Sequence, residues 1–138
     1  MSDQETVKIY ADGGSRGNPG PAGAGAVIIK GDDVVEAVSE YLGRATNNVA
    51  EYTGLVRGLE RAQALGFQNV EVRMDSELVV KQMNGEYRVK HPGLIPLFQQ
   101  AKKLASVFRE FKIVHVRREE NKRADALANR AMDAGIAD

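Results

Sequence analysis

The 138-residue sequence contains no cysteine and no tryptophan. Without cysteine there is no disulfide and no thiolate metal site. Neither sign of charge is in surplus: 19 Lys and Arg balance 19 Asp and Glu, for a formal net charge of zero. A dedicated nucleic-acid binder usually carries a basic excess. Any polyanionic partner must therefore be met by a local patch or through cations. The opening MSDQETVK has no apolar segment, so no secretory leader is expected. No apolar run is long enough to span a bilayer. These absences lead us to expect a cytoplasmic monomer with no membrane partner. A hydrophobic fraction of 43% and a charged fraction of 28% are ordinary for a globular chain of one domain, residues 1–138, with a sizeable core.

The apolar pattern switches period along the chain. VKIYAD sets Val7, Ile9 and Ala11 against Lys8, Tyr10 and Asp12, the alternation of a strand. GAGAVIIK and VVEAVSEYL read as second and third strands, with a hairpin signal at Gly31 to Asp33. A helix is expected from Asn48 to Leu65, with Tyr52, Leu55, Val56, Leu59 and Ala62 at helical spacing. NVEVRMD is a fourth strand. A short helix from Ser76 to Asn84, a loop over NGEYRVKHPG and a helix from Gly93 to Phe108 come next. KIVHVR is a fifth strand, and Asn121 stands where the N-cap of a last helix belongs. An antiparallel meander followed by βα units predicts an α/β fold. Its sheet has five strands, is mixed in direction and is flanked by helices.

The stretch YADGGSRGNPGPAGAGAV is crowded with glycine and proline. A phosphate-cradling loop must open a helix, whereas AVIIK after this one is strand. The remaining reading is a wide connection from the first strand to the second, with Asp12 where the strand gives way to it.

Three further acids stand at places where sheet proteins do chemistry. Asp75 ends the fourth strand directly before a helix, and open sheets gather sites at such ends. Glu51 falls in the first turn of the first long helix and Asp125 in the first turn of the last. Each also has a purely structural alternative. Glu51 could complete a capping box with Asn48, Asp75 could cap the next helix, and Asp125 could complement a helix dipole. If the elements pack in order, the four carboxylates meet at one rim. A like-charged pair at ~4 Å costs about 1 kcal/mol in water and roughly 4 at an effective dielectric of 20. Such a cluster calls for cations, and an all-oxygen donor set suits Mg²⁺ or Mn²⁺.

These residues together resemble type 1 ribonuclease H over nearly the whole chain. DGGSRGNPGPAG resembles the family's first-strand signature, TNNVAEYTGL its second motif, MDSELVV its Asp-Ser motif and EENKRADALAN its last-helix motif. The resemblance implies the ribonuclease H fold and hydrolysis of the RNA strand of RNA–DNA hybrids by two divalent ions, leaving 5′-phosphate and 3′-hydroxyl ends. It assigns Asp12 to bridge both ions and Asp125 to the ion that activates water. Glu51 and Asp75 go to the ion at the leaving oxygen, with Glu51 also reading a ribose 2′-hydroxyl. It implies that the backbone at Gly13 and Gly14 approaches the sugar edge. Asn18, Asn47, Asn48, Glu77 and Tyr87 are implied as substrate contacts, and Thr46 as part of a DNA-phosphate pocket.

The chain also departs from that pattern. Many members carry a histidine on a loop before the last helix. Here HVRREEN is short, and His115, in alternation with Ile113 and Arg117, reads as a structural strand residue. Glu119 or Glu120 is the candidate substitute. The sequence is most similar to the subgroup without that histidine, including the ribonuclease H domain at the front of some larger actinobacterial proteins. A basic, Trp-bearing protrusion is replaced by GEYRVKHPG, where Tyr87, Arg88 and Lys90 are candidates for part of the grip, though solvated loop residues are the preferred reading of all three, and His91 is a loop residue. Val49 stands where an arginine often binds DNA phosphate, so binding is expected to be weak and salt-sensitive. A non-catalytic hybrid-binding module and a structural domain paired with a partner enzyme are the competing readings. Neither needs the full set of acids.

Overall fold

The computed structural model describes residues 5–137; most of the polar opening at residues 1–4 lies outside them. The order is β1 (Thr6–Ser15), β2 (Gly20–Lys30), β3 (Asp33–Ala45), α1 (Asn47–Ala64), β4 (Asn69–Met74), α2 (Glu77–Met83), α3 (Ile95–Ala105), β5 (Glu110–His115) and α4 (Lys122–Ala137), with a 3₁₀ turn over Arg118–Glu120. The strands form one sheet in the order β3-β2-β1-β4-β5. β1, β2 and β3 pair antiparallel, and β4 and β5 run parallel to β1. This is the mixed five-stranded architecture that the period switches predict.

Several boundaries differ from the sequence reading. The glycine-rich stretch is mostly strand. Gly13 pairs with Ala24, Gly14 with Gly23 and Ser15 with Ala22, so the connection shrinks to residues 16–19. Glycine and alanine carry no alternation signal, which hid this pairing. α1 begins one residue early, because the Thr46 side chain accepts from Val49 N and caps it. Glu51 therefore sits in the second turn, and the capping box with Asn48 does not form. β5 covers Glu110–His115 rather than 112–117, and α3 is shorter at both ends. Among the described residues no helix is long and apolar enough to cross a membrane.

The two sheet faces bury different chemistry. Val7, Ile9 and Ala11, with Val70, Val72 and Met74, form a continuous core with Tyr52, Leu55 and Leu59 of α1. α4 covers the other face. Adjacent β2 residues point to opposite sides: a Cβ on Gly58 of α1 would meet Ala26, whereas a Cβ on Gly25 would fall 2.8 Å from Ala128 N and 2.8 Å from Leu127 Cβ of α4. The α4 face is built of small residues, with Ala124, Ala128 and Ala131 buried. Helix backbone therefore lies almost directly on strand backbone. That close approach sets the height of Asp125 over the strand ends.

Gly25→Ala is expected to lift α4 and lower the melting temperature by roughly 5–10 °C, the scale of an overpacked core. Calorimetry showing an unchanged melting temperature would mean that α4 can shift without cost.

Candidate active site

The parallel register between β1 and β4 builds the site. Tyr10 lies opposite Arg73, and two residues further along each chain come Asp12 and Asp75. The strand ends thus carry two carboxylates side by side, at the carboxyl edge where parallel strands open into a crevice. α1 brings Glu51 to them. A Cβ on Gly13 would collide with the Ala50 carbonyl carbon and oxygen, so only glycine lets α1 come this close to β1. α4 brings Asp125 in its first turn. All four acids line one depression of about 300 Å³.

Their electrostatics show the strain of this gathering. Asp12 is 8% exposed. Burial, then the nearby charges of Asp75 and Asp125, push its carboxyl up to about 8, against the pull of the Gly13 N–H. That N–H donates to Asp12 Oδ1 at 2.8 Å. Burial and the Asp75 charge raise Glu51 to about 7, with the Ser76 hydroxyl pulling the other way. Ser76 Oγ donates to Glu51 Oε1 at 3.2 Å and accepts from Val79 N at 3.2 Å. Ser76 is thus the cap of α2, and the reading of Asp75 as that cap does not hold. Asp75 Oδ1 instead accepts from Asn121 Nδ2 at 2.7 Å.

Among the described residues no three carboxylate or imidazole groups stand close enough to cage an ion unaided. Yet the donor set is all oxygen. It fits hard ions that take one or two carboxylates each and complete their shell with water and phosphate oxygens, as Mg²⁺ does.

The remaining candidates divide. Gly13, Gly14 and Asn47 line the same depression. Asn47 Oδ1 accepts from Ser15 N at 2.7 Å and Ser15 Oγ at 3.1 Å, and Asn47 N donates to Asn18 Oδ1 at 3.2 Å. Asn18 and Asn47 therefore pin the tight turn to the start of α1. Thr46 uses its hydroxyl oxygen as the α1 cap, and Asn48 is half-buried beside it. Glu77 and Tyr87 lie away from the acids. Lys81 joins them, pairing with Glu77 at 2.9 Å and donating to the Tyr87 hydroxyl at 3.3 Å. Tyr87, with Arg88, lines a separate groove against α3. His115 is exposed at the end of β5.

Glu119 and Glu120, the candidates for the loop histidine's place, do not line the acid depression. The 3₁₀ turn directs them to Arg117 and to a second depression beside Tyr10 and Lys122. Arg118 lines the acid depression instead, its Nη2 4.0 Å from Asp125 Oδ1. Arg16 lines it too and pairs with Asp133 of α4 at 2.6 Å. Sequence reasoning missed both arginines. Arg118, beside acidic neighbours, looks like any solvated face, and Arg16 stands among glycines of the turn with no charged neighbour to mark it.

A family profile described as reverse transcriptase-like matches residues 10–131. The chain is 55% identical over 130 residues to the bifunctional protein Rv2228c of Mycobacterium tuberculosis, covering 93% of this chain and 36% of that protein. It thus spans little more than a third of the length of that curated relative. The solved N-terminal RNase H domain of the same protein is similar at a TM-score of 0.94 and 53% identity, over 97% of this chain and 98% of the other. RNase H1 of the halophilic archaeon Halobacterium salinarum is similar at a TM-score of 0.90 and 46% identity, over 94% and 98%. LC11-RNase H1, solved in complex with an RNA/DNA hybrid, is similar at a TM-score of 0.89 and 46% identity, over 94% and 99%.

The upward shifts fix a pH dependence. Folding retains protons at Asp12 and Glu51 that the unfolded chain releases at its ordinary values of 3.8 and 4.5. Their stabilising share is complete below those values and is lost as pH rises through about 7 for Glu51 and about 8 for Asp12. In metal-free buffer the melting temperature should fall by at least about 5 °C between pH 5 and pH 8.5. Asp12→Asn should flatten that slope and melt higher than the wild type at pH 8.5. A wild-type curve that stays level over this range would show that the acids do not crowd one another.

Proposed function

This chain belongs to the ribonuclease H family, and on that premise we propose that it hydrolyses the RNA strand of RNA–DNA hybrids, leaving 5′-phosphate and 3′-hydroxyl ends. One observation carries the reading. Four acids from four separate elements line a single depression at the strand ends, where burial, and then the charges of Asp75 and Asp125, push the Asp12 carboxyl up to about 8. A fold that only bound hybrid, or only supported a partner, has no use for that repulsion. Asp12, Glu51, Asp75 and Asp125 are the residues that would hold two Mg²⁺ ions, with Mn²⁺ as a substitute. Bound there, such ions supply the Lewis acidity that activates water and offsets charge on the leaving oxygen.

The protein's own part is to position and to discriminate. Asp12 is raised by burial and then by the charges of Asp75 and Asp125, so its carboxylate is near enough to both to help hold cations there. The Gly13 N–H and the Ser76 hydroxyl restrain the rotation of Asp12 and Glu51. Gly13 and Gly14 present bare backbone beside them, where a ribose edge can come near without meeting side chains. The 2′-hydroxyl distinguishes RNA from DNA, and Glu51, on the helix facing that backbone, is placed to accept from it. Asn18, Asn47 and Asn48 flank the approach, with Thr46 for the DNA strand. Glu77 and Tyr87 extend the contact surface along α2. One chain supplies all four acids, so a monomer would suffice for this activity. With net charge zero, its grip on the hybrid depends on local cations and weakens with salt.

A labelled RNA–DNA duplex incubated with Mg²⁺ should be cut in the RNA strand only, with 3′-hydroxyl ends. EDTA or Asp12→Asn should reduce cleavage to background. Protein inert toward the duplex at every Mg²⁺ and Mn²⁺ concentration would refute this function.

A further inference from the structure

Asn121 is only 1% exposed, the most deeply buried polar side chain among the described residues. It immediately precedes α4, the position of an N-cap. A capping asparagine aims its side-chain oxygen at the free N–H groups of the first helical turn. Asn121 does not. Its Oδ1 has no hydrogen-bond partner, and its Nδ2 donates twice, to Ala11 O at 3.0 Å and to Asp75 Oδ1 at 2.7 Å. Its own carbonyl accepts from Asp125 N at 3.1 Å. One residue thus touches the backbone just before Asp12, the side chain of Asp75 and the backbone of Asp125. Buried acceptors are nearly always paired. The fold leaves one unpaired here and keeps the nitrogen on the acid.

We propose that Asn121 is a positioning residue that fixes the Asp75 carboxylate for ion binding and locks the β1, β4 and α4 acids into one frame. This rests on the site being an ion-binding centre, as argued above. The chemistry favours an amide. The two N–H groups on one nitrogen form a rigid fork that serves two acceptors at once, and a bond to an ionised oxygen is short and strong. A lysine there would compete with the cation for Asp75, and a further carboxylate would add to the crowding. A neutral donor holds one oxygen of Asp75 without neutralising it. Partners of this kind behind a metal-binding carboxylate typically govern affinity 10–100-fold.

The test is calorimetric titration of substrate-free protein with Mg²⁺ alone, alongside melting curves and hydrolysis kinetics. Asn121→Ala and Asn121→Ser should bind Mg²⁺ about 10–100-fold more weakly than wild type. Their kcat should fall over a similar range, with KM for hybrid within about threefold. Asn84→Ala is the control, because Asn84 Nδ2 donates to Ile113 O at 3.1 Å and so makes a bond of the same kind away from the acids. It should lower the melting temperature and leave Mg²⁺ affinity at the wild-type value. In an Asp75→Asn background, adding Asn121→Ala should cost less affinity than it does in wild type, because only the contacts to Ala11 and Asp125 remain to be lost. Folded Asn121 variants that bind Mg²⁺ like wild type would overturn the proposal, as would an equal loss in Asn84→Ala. Failure of both Asn121 variants to fold would also count against it, by making the residue a structural one. A wild type that takes up no Mg²⁺ would instead remove the proposed function, and this role with it.

Discussion

A buried carboxylate beside two others is the constraint on which the active face depends. Asp12 has lost most of its water and faces the charges of Asp75 and Asp125. In such surroundings an isolated anion is unstable, so the group retains its proton to higher pH than usual or requires a cation. The parallel register that sets Asp12 beside Asp75 is itself part of the core, since Val7, Ile9, Val70 and Val72 alternate with the same period. Separating the acids would mean slipping the strands and turning that apolar row to solvent. Hydrophobic burial therefore holds the charges together.

Small residues decide how near the helices come. α1 reaches β1 because Gly13 has no side chain, and α4 lies on β2 because Gly25 has none. Ordinary side chains at those positions would set Glu51 and Asp125 back from the strand ends by the thickness of a methyl group or more. The glycine-rich stretch is accordingly neither a phosphate cradle nor a wide loop. It is strand backbone left bare for helices to approach, closed by a turn that Asn18 and Asn47 pin to α1.

Neutral donors complete the frame. The Gly13 N–H, the Ser76 hydroxyl and the Asn121 amide each hold one acid by one oxygen. None of them carries charge, so none competes with a cation for its carboxylate. Arginines are kept to the rim, where Arg118 stands 4.0 Å from Asp125 while remaining largely in solvent.

The sequence by itself determined the order of elements, an antiparallel meander leading into a mixed sheet, and where the four acids stand along the chain. Periodicity and motif spacing are local, and they survive whatever the chain does elsewhere. Strand ends built of glycine and alanine were not legible, because alternation needs side chains to alternate. The helix start at Thr46 was obscured by two following asparagines that can cap equally well. The tertiary structure alone decided which neighbours each acid has. Asn121 and Ala11 are far apart along the chain, as are Ser76 and Glu51, and both contacts arise only where β1, β4, α1 and α4 converge. Arg118 rather than Glu119 or Glu120 faces Asp125 because a 3₁₀ turn rotates the chain there. Such rotations follow from how a segment is packed, and local sequence does not encode them.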